Sequence, residues 1–180
     1  MKNRRIAIIA FVLVAVMAIG VGYAAVSDTL GVSGNISSNS ANEFKNDVYW
    51  INAPVVEKTG TKPDTSKVTV SVGDEGGEAN DLLSITLVEG ALVEKDDAIT
   101  VTAKVKNDSD LAATLAVTST TAPTDPHFSV AIELVDAALE ANGGEGTVKI
   151  TITLVNSIVD EAGASTTFGY VITATANTTP

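Results

Sequence analysis

Strict alternation of apolar and polar residues marks five segments of the chain. Their apolar positions are Val68, Val70 and Val72; Ile99, Val101, Ala103 and Val105; Phe128, Val130, Ile132 and Leu134; Val148, Ile150, Ile152 and Leu154; and Phe168, Tyr170, Ile172, Ala174 and Ala176. Successive side chains of a β-strand point to opposite faces. A period of two therefore predicts five strands, each with one buried and one solvated face.

Less regular β-prone stretches bring the expected number of strands to about nine. They lie at 26–37, 47–57, 82–89 and 111–119, and clusters of Gly, Asn, Asp and Pro separate the runs. Such spacing predicts an all-β fold, an antiparallel two-sheet sandwich of jelly-roll or immunoglobulin-like Greek-key type. Residues 136–142 are expected to form a short helix or a turn closed by Gly143.

The first 24 residues have the layout of a secretory signal peptide. Three basic residues precede the apolar run 6–21. Gly22 and Ala24 are the small residues at positions −3 and −1 of a cleavage site, so the mature chain should begin at Ala25. The alternative is an uncleaved anchor, because residues 6–26 are long enough to cross a bilayer. Three parts are expected: a signal helix at 1–24, an N-terminal strand and tether at 25–42, and the sandwich at 43–180.

The net charge argues against nucleic acid as a partner, and the lack of cysteine excludes several kinds of covalent bond and metal site. The net charge is −11, and without Lys2, Arg4 and Arg5 eight basic residues face 22 acidic ones, a charge of −14. Such a chain repels phosphate backbones, so nucleic acid is not an expected partner. The absence of Cys excludes disulfides, thiolate metal sites and a Cys-linked lipid. Membrane contact is expected only through the leader.

The sequence contains no recognisable catalytic constellation, and we expect neither an enzyme nor a cofactor. His127 is the one histidine, whereas a zinc peptidase needs His ligands at helical spacing. No nucleophile elbow or phosphate-binding loop is present. The acidic residues Asp74, Glu75, Glu78 and Asp81 are weak candidates for Ca²⁺ binding, but they match no EF-hand loop and are typical of a solvated turn.

Tyr49 and Trp50 form a pair that points to opposite faces if they lie on a strand. One is expected in the core. The other is a candidate exposed aromatic for contact with a glycan or a protein.

The segment 25–37 is a candidate assembly strand. Val26, Leu30, Val32 and Ile36 share one parity, and a Ser/Asn-rich stretch at 37–42 follows. A β-prone segment on a tether can add to the sheet of a neighbouring subunit by β-augmentation. The alternative is that it pairs within its own subunit.

The stretch from Gly20 to Asp28 resembles the signal-peptide junction of the TasA/camelysin family of Gram-positive matrix-fibre proteins. Tyr23 occupies the aromatic position, Ser27-Asp28 the polar pair, and Val26 stands where Phe is usual. The resemblance implies export through a SipW-type signal peptidase, a jelly-roll-like fold and assembly through the N-terminal strand. The peptidase label of camelysin does not carry over, because the His ligands are missing.

Together these observations predict a secreted structural subunit of an extracellular fibre or biofilm matrix at the cell surface. Its partners would be copies of itself, with a signal peptidase acting during export. The alternative is a monomeric surface adhesin or carbohydrate-binding sandwich, free or anchored by an uncleaved leader.

Overall fold

The computed structural model describes residues 29–38, 44, 47–75, 78–156 and 167–177. The expected signal peptide, its cleavage positions Gly22, Ala24 and Ala25, and Val26 of the assembly strand lie outside these residues. Within the described part of the chain, no helix is long and apolar enough to cross a membrane.

The described elements include eleven strands and one 3-10 helix, and Phe44 and Asp47 also have helical backbone. The helix spans Thr65–Lys67, and the strands are β1 Thr29–Ser38, β2 Val48–Trp50, β3 Val55–Thr59, β4 Val68–Glu75, β5 Glu78–Val88, β6 Ala98–Asn107, β7 Ala113–Thr121, β8 Phe128–Asp136, β9 Ala138–Leu139, β10 Gly144–Leu154 and β11 Thr167–Ala176. All five alternating runs form strands, and the all-β prediction is confirmed.

The strands form two sheets. The six-stranded sheet has the order β4-β5-β1-β11-β7-β9, and the five-stranded sheet has the order β2-β6-β10-β8 with β3 also paired to β6. Antiparallel pairing predominates. The exception is β1, which runs parallel to β11.

One hydrophobic cluster draws residues from both sheets. The four alternating apolar residues of β10 are wholly buried, and Ile85 of β5 and Ile172 of β11 join them from the six-stranded sheet. Their burial follows from the alternation, because one face of each strand carries the apolar side chains.

The stretch expected as one strand at 47–57 is two. The backbone N–H of Ala53 donates to Ile51 O at 2.8 Å in a local turn, after which β3 begins at Val55. Pro54 has no N–H for a ladder bond, which favours the interruption there. Both short strands pair with β6.

Residues 136–142 form a short strand and a turn, not a helix. Ala138–Leu139 is β9, and Asn142 and Gly143 have φ angles of 59° and 105°. Asn and Gly tolerate this left-handed conformation, which closes the turn into β10. Gly146 is tightly enclosed, since a Cβ there would lie 2.8 Å from Asp136 O.

Candidate assembly strand and surface groups

The first described strand, β1, lies in the middle of the six-stranded sheet. It pairs antiparallel with β5, from Thr29 opposite Val88 to Asn35 opposite Leu82. On its other side it pairs parallel with β11, from Gly31 opposite Thr167 to Ser38 opposite Ala174. Both of its edges are therefore paired within its own chain, the arrangement that the sequence left as the alternative.

The expected apolar positions of β1 are in register with the core of the sheet. Leu30 is opposite Leu87, Val32 is opposite Ile85 and Phe168, and Ile36 is opposite Ile172. All four of these partners on β5 and β11 are buried. A slip of one residue would break this match, so the register is strongly specified.

The sequence did not indicate which two strands pair with β1. Both β5 and β11 were predicted as strands, but alternation identifies a buried face and does not identify a neighbour. The ladder residues that flank β1 are buried Leu83, Ile85 and Leu87 on β5 and Phe168, Tyr170 and Ile172 on β11. A shared compositional feature was available as a signal: β1, β11 and residues 82–88 of β5 contain no charged residue.

Tyr170 is an unusual member of this set. Register places it opposite Gly34 of β1. Its hydroxyl is buried and has no hydrogen-bond partner among the described residues. Burial raises the pKa of Tyr170 well above its ordinary value, because the phenolate would lose its hydration.

The aromatic pair is divided as the alternation of a strand requires. Trp50 is 0% exposed and belongs to the core. Tyr49 is half-buried, and its hydroxyl donates to Asp108 Oδ2 at 2.6 Å. Lys106 Nζ lies 2.8 Å from Asp108 Oδ1. Tyr49 is thus the aromatic that lies toward solvent, between charged neighbours.

This surface trio shifts the ionisation of its members. The hydrogen bond from Lys106, followed by the one from Tyr49, lowers the pKa of Asp108. The bond to Asp108 raises the pKa of Tyr49 and also that of Lys106. These contacts stabilise an ionised carboxylate beside a neutral phenol and a charged ammonium group.

Asn107 has a structural role at the end of β6. It is fully buried, and its Nδ2 donates to Leu111 O at 2.8 Å and to Glu140 O at 3.1 Å. Its Oδ1 accepts from Ser109 N at 3.1 Å and from Ser109 Oγ at 2.6 Å. The amide therefore ties the turn after β6 to the turn before β10.

The acidic candidates for Ca²⁺ binding lie around the β4–β5 hairpin. Asp74 is exposed, Asp81 is buried, and Glu75 is opposite Glu78 in the ladder. Among the described residues, no group of three or more His, Asp or Glu side chains could hold a metal ion.

His127 belongs to the loop before β8. Its Nδ1 lies 2.7 Å from Asp125 Oδ1, which also accepts from the His127 backbone N–H at 2.8 Å. The carbonyl of His127 accepts from Val155 N at 2.7 Å. These bonds hold the loop against the end of β10.

No family model, curated protein or solved structure matches this chain.

Proposed function

We propose that this protein is a secreted structural subunit of a bacterial extracellular fibre or biofilm matrix, with a jelly-roll-like β-sandwich fold. Subunits join when β1 of one copy takes the place of β1 in the next. The observation that carries this proposal is the position of β1, a strand from the N-terminal part of the chain that lies between β5 and β11.

The topology makes such an exchange geometrically simple. In chain order β1 precedes every other described strand, and β2 begins only at Val48. When β1 leaves, β5 and β11 each expose an unpaired edge, and the strand that fits both is the same segment of another copy. Exchange of an identical element between protomers keeps its contacts and is a low-cost route to assembly.

The composition of the segment also favours exchange. Residues 29–38 contain no charged side chain, and the chain carries a net charge of −11. Insertion of an uncharged strand brings no carboxylate into the sheet of a second acidic copy. Backbone pairing supplies affinity, while the register with Ile85, Phe168 and Ile172 supplies specificity.

Export is part of the proposal. The leader at 1–24, the lack of Cys and the strongly acidic remainder suit a protein that works outside the cell. Ala25 is the proposed first residue after cleavage. Sequencing the N-terminus of extracellular protein tests this, and a membrane-bound form that retains Met1 would favour the anchored alternative.

Negative-stain microscopy with a competing peptide tests the assembly. The chain, in the form that an expression host secretes, should form fibres. A synthetic peptide of residues 25–38 should stop their growth by filling the site between β5 and β11. The same peptide with Val32→Asp is the matched control, because it carries a carboxylate at the position opposite Ile85 and Phe168.

Two results would contradict strand exchange. One is secreted protein that stays monomeric at all concentrations, which would favour the adhesin or carbohydrate-binding alternative with Tyr49 as a candidate contact. The other is fibre growth that both peptides inhibit equally.

A further inference from the structure

We propose that the free edge of β4 pairs antiparallel with the β4 edge of a second copy of this chain. The stretch that pairs, Val68–Gly73, is called the β4 edge below. The proposed two-fold axis passes beside Val70. This contact goes beyond strand exchange, because it joins copies side by side and leaves β1 in place.

The first reason for this proposal is a row of three valines that the fold leaves only partly buried. Val68, Val70 and Val72 are opposite Leu87, Ile85 and Leu83 of β5. These three β5 residues are at most 3% exposed, whereas the three valines are only partly buried, at the margin of the core. Continuing the sheet beyond β4 would cover them, and burying apolar surface is favourable by about 25 cal/mol per Å².

The β4 edge also lacks the features that normally prevent pairing. β4 ends the six-stranded sheet, so one row of its backbone groups faces away from β5. Residues 68–73 contain no charge and no proline, and the ladder irregularity begins only after Gly73. Soluble proteins usually protect such an edge with Lys, Pro or a bulge.

A two-fold axis at Val70 gives a self-consistent register. Val68 would be opposite Val72 of the second copy, and Thr69 would be opposite Ser71. Directly opposite residues of an antiparallel pair share a face, so the valines of the two copies form one apolar row. Thr69 and Ser71, both exposed, form the solvent row.

Charges at the two ends select the antiparallel direction. Lys67 precedes the β4 edge, with its ammonium donating to Glu89 O at 2.9 Å, and exposed Asp74 follows it. Antiparallel pairing brings the basic end of one copy near the acidic end of the other at both ends. Parallel pairing would bring like charges together, which is unfavourable.

The other open edges suit this contact less well. β8 ends the five-stranded sheet but carries exposed Glu133 near its centre, so two β8 strands would bring carboxylates together. β7 is partly covered by β9 at Ala113 and Thr114, and its ladder with β11 contains a register shift. Among the edge strands that the structure describes, only the β4 edge combines uncharged residues, regular pairing and partly buried valines.

Such a contact is weak for one pair of molecules and strong in an array. An edge of this length buries less than the roughly 1,200 Å² of a stable interface. Copies that already stand in a row gain from a high effective concentration. The contact is therefore suited to joining rows of subunits sideways.

Oxidative cross-linking of single cysteines tests the proposal in the secreted chain before any fibre forms. The chain has no cysteine of its own. Val70→Cys places a thiol next to the proposed axis, where opposite Cα atoms are about 4.5–5.5 Å apart and suit a disulfide. Val130→Cys is the matched control, a partly buried valine on the β8 edge. Val70→Cys should form covalent dimers at least about tenfold faster.

A charge on the same edge separates specific pairing from random collision. Adding Ser71→Glu to the Val70→Cys protein should slow cross-linking about tenfold, because like charges repel each other across the axis. Adding Ser129→Glu, which lies on β8, to the same Val70→Cys protein should not slow it. Equal rates for Val70→Cys and Val130→Cys, or no effect of Ser71→Glu, would overturn the proposal. Because Ser71 is exposed, Ser71→Glu leaves the core unchanged. The association of wild type and of Ser71→Glu can therefore also be compared by sedimentation.

Discussion

The hydroxyl of Tyr170 lies in the core without a hydrogen-bond partner among the described residues. A buried unpaired hydroxyl costs folding free energy, because it gives up water and gains nothing in return. We therefore expect Tyr170→Phe to raise the free energy of unfolding by about 1 kcal/mol in urea denaturation. Tyr49→Phe is the control, since it removes a hydroxyl that does have a partner and should not stabilise the protein. A destabilised Tyr170→Phe variant would show that the hydroxyl has a partner.

Asp108 gives a prediction about pH. Its pKa is lowered in the folded state, first by Lys106 and then by Tyr49. A lowered carboxyl pKa stabilises the fold above the unfolded pKa of about 3.9, and this stabilisation is lost as pH falls through the folded value. Asp108→Asn should therefore make the melting temperature fall less steeply below about pH 4. A variant as acid-sensitive as wild type would contradict this assignment.

Tyr49→Phe tests the smaller cause of the same shift. The pKa of Asp108, followed by NMR, should rise toward its ordinary value but remain lowered, because Lys106 is still in place. A return to the ordinary value would mean that Tyr49, not Lys106, is the larger cause.

At the scale of single residues, the sequence identified important positions more successfully than it identified the contacts that those residues make. The Tyr49–Trp50 alternation predicted one buried and one exposed ring, but not that Asp108 would hold Tyr49. Asn107 belongs to one of the Gly, Asn, Asp and Pro clusters that separate the predicted strands. Its hydrogen bond to Glu140 O could not be predicted, because the sequence pattern does not show which distant residue Asn107 meets.

Among the strands, β10 carries the clearest prediction. Ile152 is wholly buried, opposite Ile99 on one side and Val130 on the other. Ile152→Asp should unfold the domain, because an unpaired buried carboxylate costs several kcal/mol, on the order of the whole stability. Thr151→Asp is the neighbouring control on the opposite face, where the side chain is only partly buried, and it should lower the melting temperature much less. Equal melting of both variants would mean that the face is misassigned.

The alternation of apolar and polar residues correctly predicted β4, β6, β8, β10 and β11, because each of these strands has one face toward the core. It could not show that residues 47–57 make two strands, although Pro54 was a local signal for a break. Nor could it find β9, whose two residues are too few to show a period. Pairing is a property of the sheet, so the parallel β1–β11 ladder had no counterpart in the sequence pattern.

For the whole molecule, the charge is unevenly distributed between the two sheets. β1, β7, β9, β11, residues 68–73 of β4 and residues 82–88 of β5 carry no charged residue. The five-stranded sheet includes mixed charges such as the Lys104–Glu145 pair at 2.7 Å. The proposed contacts between copies, through β1 and the β4 edge, both use uncharged stretches of the six-stranded sheet. An acidic protein can associate there without bringing carboxylates together.

The most direct test of strand exchange is a disulfide that locks β1 into its own sheet. Ser33 and Ser84 are opposite each other in the β1–β5 ladder. Antiparallel opposite Cα atoms are about 4.5–5.5 Å apart, a spacing that suits a disulfide. Thr100 and Thr151, opposite each other in the five-stranded sheet, provide the control pair.

Fibres are then counted by negative-stain microscopy. If strand exchange builds the fibre, oxidised Ser33→Cys/Ser84→Cys protein stays monomeric and a reductant restores fibres. Thr100→Cys/Thr151→Cys protein forms fibres in both conditions. Fibres of normal length from the fully oxidised Ser33→Cys/Ser84→Cys protein would contradict strand exchange.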